Sequence, residues 1–244
     1  MDNYHSGIDR ITSSGLKLLL KKTPAHYYAE YMGEGSKPTA AMEYGIAAHA
    51  LILEGEEAFA KVAMAKPEGV DFRTKEGKAF KAASKGKMIL SEKDIEEMYA
   101  FKDKLKESDL GAAMFNGTGM AEEVVTWRDA KCKPDWMAKD GSLIIDLKMM
   151  ADADPTNFKR AIYRYGYHIS AAMYVEGVES HFNKKPRFVW AVCEKGTGNV
   201  AFYSPSPEML SEGHDRVGHG LAIYAECKQR KQWPGYEQQV LEIG

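Results

Sequence analysis

Cysteine is scarce in this 244-residue chain: three residues, at positions 132, 193 and 227, show no C-x-x-C spacing and no disulfide framework. That pattern favours a reducing, cytosolic compartment. It also disfavours an iron–sulfur cluster held by four cysteines. Long hydrophobic runs are missing too, since no stretch of about 18 apolar residues occurs. The opening MDNYHSGIDR lacks the apolar core of a signal peptide, so a soluble cytoplasmic protein with no membrane contact is expected. Nor does one sign of charge dominate. Lysine and arginine total 33 against 35 acids, a net charge of −2, so any anionic partner must be held by a local patch. Repeats and low-complexity segments are likewise absent. At 44% hydrophobic, the chain is long enough for one well-cored domain over residues 1–244.

What the chain does have is KCKPDWMAKDGSLIIDLK, residues 131–148, which reads as a strand pair carrying acids. Asp140-Gly141 is a strong signal for a two-residue type I′ turn, whose central positions need positive φ. Pairing outward from that turn sets Asp135 directly opposite Asp146. Facing Cβ atoms lie about 4.5–5.5 Å apart, where like charges destabilise the pair. A divalent cation between the carboxylates would offset the repulsion, whereas two solvated acids at a twisted hairpin tip would tolerate it. Alternation then places Leu143, Ile145 and Leu147 on one face and Asp146 and Lys148 on the other. A carboxylate beside a fixed ammonium supplies the parts of metal-assisted hydrolysis. A half-exposed strand with a polar outer face is the alternative.

Along the chain, ITSSGLKLLLKKTPAHYYAEYM predicts a helix capped by Ser13 or Ser14, with a stripe of Leu16, Leu19 and Leu20, stopping near Pro24. Residues 35–38 read as a loop. Thr39 to Gly55 reads as a helix closed by glycine, with His49 inside it as a core residue or a ligand. The DFRTKEGKAFKAASKGK stretch carries Arg73, Lys75, Lys78, Lys81, Lys85 and Lys87, either a solvated face or a phosphate contact. Ser91 with Asp94 predicts a capped helix start. AEEVVTW from Ala121 reads as a strand beginning with Glu122 and Glu123. A tyrosine-rich helical stretch follows Pro155, then a strand pair around Gly196 and Gly198, then a helix from about Ser206 to Lys231. Strands between helices in this order predict an α/β (α+β) fold, a mixed sheet covered by helices.

In the order G-I-A-A-H (Gly45 to His49), Glu122, K-P-D-W (Lys133 to Trp136), I-I-D-L-K (Ile144 to Lys148) and Tyr167 to Tyr174, the sequence resembles the RecB-type PD-(D/E)xK nucleases. More narrowly it is similar to the C-terminal nuclease domain of exonuclease VIII, the RecE family. SSGLKLLLKKTPAHYY, FRTKEGK and WPGY also look like that family, so the likeness spans nearly the whole chain.

The resemblance implies a restriction-endonuclease-like core with a central mixed β-sheet flanked by helices. It makes Asp135 and Asp146 metal-binding acids, Lys148 the catalytic lysine and His49 the helix histidine of the metal site. Glu122 matches an acidic position that could bind metal or its water shell, and the Leu147 carbonyl is a further candidate ligand. Oxygen ligands with one imidazole suit Mg²⁺ or Mn²⁺. Arg73, Lys75 and Lys78 are candidates for gripping the DNA backbone or 5′ phosphate, with Tyr167, Ser170 and Tyr174 on the substrate side. Ser170 departs from the family, which usually carries glutamine there. His168 or Tyr167 could compensate for the shorter side chain. The implied activity is a 5′→3′ exodeoxyribonuclease acting on double-stranded DNA ends. It would leave 3′ single strands for an annealing protein or recombinase and form a homo-oligomeric ring. A catalytically impaired DNA-end-binding module and a scaffold whose acids are surface residues are the alternatives.

Overall fold

The computed structural model describes residues 9–33 and 38–237. Of the loop expected over residues 35–38, only Pro38 falls among the described residues.

Helix α1 spans Ser13–Lys21, and its cap is Thr12 rather than either serine: the Thr12 hydroxyl accepts from the Gly15 N–H at 3.1 Å. Both serines are thereby freed for other work. Helix α2, Pro24–Met32, starts on its proline, where a missing N–H costs nothing. Helix α3, Ala40–His49, is capped by Thr39 and runs into a π-helical turn, Ala50–Glu54, that ends at Gly55. Such wide turns concentrate at functional sites. Helix α4 (Glu56–Val62), strand β1 (Ala63–Ala65), helix α5 (Lys75–Ala83) and strand β2 (Met88–Leu90) follow, with β1 and β2 paired in parallel. Neither short strand was expected. Helix α6, Glu92–Glu107, starts as predicted: the Ser91 hydroxyl accepts from the Asp94 N–H and donates to its carboxylate. A short helix α7, Asp109–Ala112, follows.

The AEEVVTW stretch is not one strand. Strand β3 (Gly119–Ala121) ends where Glu122 takes a φ of 57°, and β4 (Val125–Trp127) pairs instead with β5 (Ala130–Cys132) in a separate ribbon. The hairpin of β6 (Trp136–Ala138) and β7 (Leu143–Met150) has the predicted register, with Trp136 facing Ile145 and Met137 facing Ile144. Its turn differs. The Ala138 carbonyl accepts from the Gly141 N–H at 2.9 Å, and only Gly141, at φ 69°, is left-handed. A four-residue connection, 139–142, thus replaces the two-residue turn. Because it is centred on the same peptide bond, the register is unchanged.

Helices α8 (Pro155–Tyr165) and α9 (Tyr167–Phe182) divide the tyrosine-rich stretch at Gly166, a left-handed residue at φ 67°. Strands β8 (Arg187–Glu194) and β9 (Asn199–Tyr203) and helix α10 (Pro207–Arg230) complete the order, close to the expected bounds. The main sheet runs β3-β6-β7-β8-β9, with β7 and β8 parallel and the other pairs antiparallel. It is a mixed sheet between helices. On one face Ile144, Phe188, Trp190 and Val192 pack with Leu16, Phe158 and Val175 of α1, α8 and α9. On the other, Ile145, Leu147 and Ala191 pack with Ala47, Met98 and Phe101 of α3 and α6. The strand carrying the candidate site is therefore held rigidly from both sides.

Candidate active site

Pairing across three strands lines up three acids. The β6–β7 ladder ends at Trp136 with Ile145, and Asp135 and Asp146 are the residues next to that last pair on either side. Beyond the last pair of β3–β6, Ala121 with Trp136, Glu122 faces Asp135 and donates its N–H to the Asp135 carbonyl at 3.1 Å. The positive φ of Glu122 then turns its side chain out of the ladder. A non-glycine residue held in that conformation costs about 1–2 kcal/mol, which the surrounding structure must impose.

The Asp135 carboxylate is buried and accepts from the Leu147 N–H at 2.6 Å. His49, at the end of α3, faces it: Nδ1 lies 3.7 Å from Asp135 Oδ1, and Nε2 lies 3.1 Å from the Leu147 carbonyl. A carbonyl only accepts, so Nε2 carries the hydrogen, and in a neutral ring the Nδ1 lone pair points toward the acids. His49, Glu122 and Asp135 each offer one ligand atom within 4.8 Å of the others. This is a cluster able to hold a cation, and its donors, two carboxylates and one imidazole, fit a divalent ion that prefers oxygen. Burial raises the Asp135 carboxyl above the usual range and Asp146 adds to the rise, while His49, Lys148 and the Leu147 N–H oppose it.

Asp146 is turned to Lys148, whose ammonium it ion-pairs, both side chains being largely buried. Burial works against the Lys148 charge, but the Asp146 and Asp135 carboxylates outweigh it and hold the ammonium above its ordinary range. The same ammonium donates to the Leu147 carbonyl at 3.3 Å and stands 5.2 Å over the Tyr167 ring.

A second lysine shares that ring. Lys17 of α1 lies 5.9 Å from the Tyr167 centroid, and burial and then the Lys148 charge pull it down to about 8, with Asp146 opposing. One turn earlier on the same helix, the Ser13 hydroxyl donates to Ser170 at 2.8 Å. The shorter side chain at 170 is thus bonded within the protein. Ser13, Ser14, Lys17, His49, Glu122 and Asp135 all line one cavity of about 390 Å³, to which Tyr174 also contributes. Lys133 of its wall ion-pairs Glu122.

The structure thus brings together His49, Glu122, Asp135, Asp146, Leu147, Lys148, Tyr167 and Tyr174, with Ser170 just behind. Arg73, Lys75 and Lys78 stand apart: both lysines are exposed, and the Arg73 guanidinium is held in a two-point bond by Asp71. Sequence reasoning missed Lys17, Ser13 and Lys133. The available signal for Lys17 was a cation four residues after Ser13, the spacing that shares a helix face.

Of two solved structures that match the chain, one shares its fold. A candidate exonuclease from Eubacterium rectale superimposes with a TM-score of 0.62 at 17% identity, covering 97% of this chain and 90% of that one. A phage-related exonuclease from Haemophilus somnus 129PT has a TM-score of 0.38 at 10% identity, covering 91% and 96%. No curated protein matches. Over residues 12–241 the sequence fits the family described as PDDEXK-like domain of unknown function (DUF3799), and the chain belongs to that family.

Proposed function

We propose that the protein is a metal-dependent exodeoxyribonuclease of the exonuclease VIII kind. It would degrade linear double-stranded DNA 5′→3′ and leave 3′ single strands for an annealing protein or recombinase. The observation that carries the reading is the row of Glu122, Asp135 and Asp146 beside the buried Lys148 ammonium. His49, Glu122 and Asp135, with Asp146 adjacent, would hold Mg²⁺ or Mn²⁺. When bound, such an ion supplies charge neutralisation at the scissile phosphate and a more acidic water.

The chain's own groups do the rest. Lys148, fixed by Asp146 and the Leu147 carbonyl, orients a water toward phosphorus or neutralises a phosphoryl oxygen as charge develops. The water oxygen forms the new bond to phosphorus, the P–O bond to the released nucleotide breaks, and the proton lost by the water is balanced by one taken up at the departing oxygen. Tyr174 and Ser14 form the wall against which that nucleotide lies. Subunits arranged as a homo-oligomeric ring in the cytoplasm would keep the enzyme on its strand. No helix among the described residues is long and apolar enough to cross a membrane.

The test is digestion of linear duplex DNA against closed circles, with Mg²⁺ or EDTA, by wild type and Asp146→Ala. Metal-dependent loss of the linear form alone, abolished by the substitution, supports the reading. Intact DNA across metals and protein concentrations overturns it and leaves the alternative favoured by the internal Ser13–Ser170 bond, an end-binding module without turnover.

A further inference from the structure

Beside the catalytic cavity lies a second, of about 490 Å³, and Lys17 lines both. Its walls are α1, the α8–α9 junction and α10. Tyr163 and Tyr165 stand 45% and 48% exposed on this wall. The Tyr165 ring lies 5.6 Å from that of Tyr167, which underlies Lys148, so aromatic surface runs outward from the catalytic lysine. The Arg164 guanidinium lies 5.5 Å from the Tyr165 ring centroid. Lys21, one turn beyond Lys17, and Arg216 of α10 add two more cations. Among the described residues none of these three has an ion-pair partner. Glu212, the one acid of the lining, is engaged by the Tyr163 hydroxyl at 3.3 Å.

Charged helix faces are usually just solvated. Here two half-exposed tyrosines lie among cations without ion-pair partners in a concave site beside the catalytic one, in a protein of net charge −2. That combination matches the needs of an unpaired nucleic-acid strand, whose bases have free faces to stack and whose phosphates need counter-charges. Duplex bases are already stacked on one another and cannot use the tyrosines.

We propose that this cavity binds single-stranded DNA continuous with the strand being cut, its bases on Tyr163 and Tyr165 and its phosphates on Lys21, Arg164 and Arg216. Lys17 meets the phosphate at the junction of the two cavities. The identity of the polymer rests on the nuclease reading; the stacking and charge do not.

Binding of a short fluorescein-labelled oligothymidine, followed by anisotropy in EDTA so that nothing is cut, tests the proposal with a blunt duplex as control. Tyr165→Ala should weaken the oligothymidine complex about tenfold or more. Arg216→Glu, at an exposed position of α10, should weaken it and lower the salt slope by about 0.7. Both variants should melt with the wild type. If both fold and bind oligothymidine as tightly as wild type, the proposal is overturned. Digestion of linear duplex is scored separately: activity with unchanged oligonucleotide binding removes the strand site alone. Binding that the variants lose, in a protein that cuts nothing, removes the nuclease reading alone.

Discussion

Asp146 and Lys148 sit two residues apart on β7 with side chains only 4% and 18% exposed, so each is the other's principal compensation for lost water. Breaking such a pair from one side leaves an uncompensated buried charge, at about 3–5 kcal/mol. Asp146→Ala should therefore lower stability by roughly that amount in urea denaturation, while Asp146→Ala with Lys148→Met should regain most of it. Both proteins should be inactive. Additive losses in the double variant would show that the two groups are not coupled. His168 gives a second prediction. Burial holds its imidazole below the ordinary range, reinforced by Arg216 and Lys17 and opposed by the Ile162 carbonyl and Glu212. The unfolded chain thus takes up the proton first as pH falls below about 6.5, so this contribution is intact above that value and declines beneath it. Melting temperature should fall between about pH 7 and pH 5, and less steeply in His168→Gln. An identical slope in the variant would remove the effect. Of these residues, the hairpin register that leaves Asp135 and Asp146 next to its last pair was legible, because a local turn and a period of two fix it. The facing of Glu122 and Asp135 was not, since no turn joins β3 to β6. Lys17 was hidden because a lysine on a helix reads as solvated until its neighbours are known.

Helices α9 and α10 approach so closely that a Cβ on Gly213 would lie 2.5 Å from the His168 carbonyl oxygen. Backbone cannot yield as a side-chain tip can, and overpacking of this kind costs typically 1–3 kcal/mol. Gly213→Ala should be destabilised by about that much. Because His168 adjoins Tyr167, the ring shared by both lysines, cleavage should fall as well. A variant as stable and active as wild type would mean that the helices separate freely. Elements with their own punctuation were legible: α6 with its serine cap, β8 and β9 around two glycines, α10 from its serine to its lysine. The break between α8 and α9 had a signal too, in the glycine of Tyr165-Gly166-Tyr167. The break at Glu122 had none, because nothing in an acidic residue announces a left-handed backbone. The misassigned cap of α1 mattered most, since Thr12 in that role leaves Ser13 to hold Ser170.

The chain carries little net charge and packs helices on both faces of one mixed sheet, so attraction to the DNA proposed as its substrate would come from grooves rather than from the overall field. A ring would gather several such grooves around one strand. Sedimentation should then give a mass that is a multiple of 27.2 kDa, and a mass of one chain would remove the ring. Architecture at this scale was legible from the order of strands and helices, whereas assembly leaves no periodic trace in a sequence. One small bond carries further. The β6–β7 ladder stops at Trp136 and Ile145, and the next amide of β7 to find a partner on that side, Leu147, gives its hydrogen to the carboxylate of Asp135. A single ¹⁵N–¹H resonance therefore reports on the heart of the site. Any ion or ligand that draws on Asp135 must shift that peak, giving an isotope-labelled sample a direct titration of the site without a turnover.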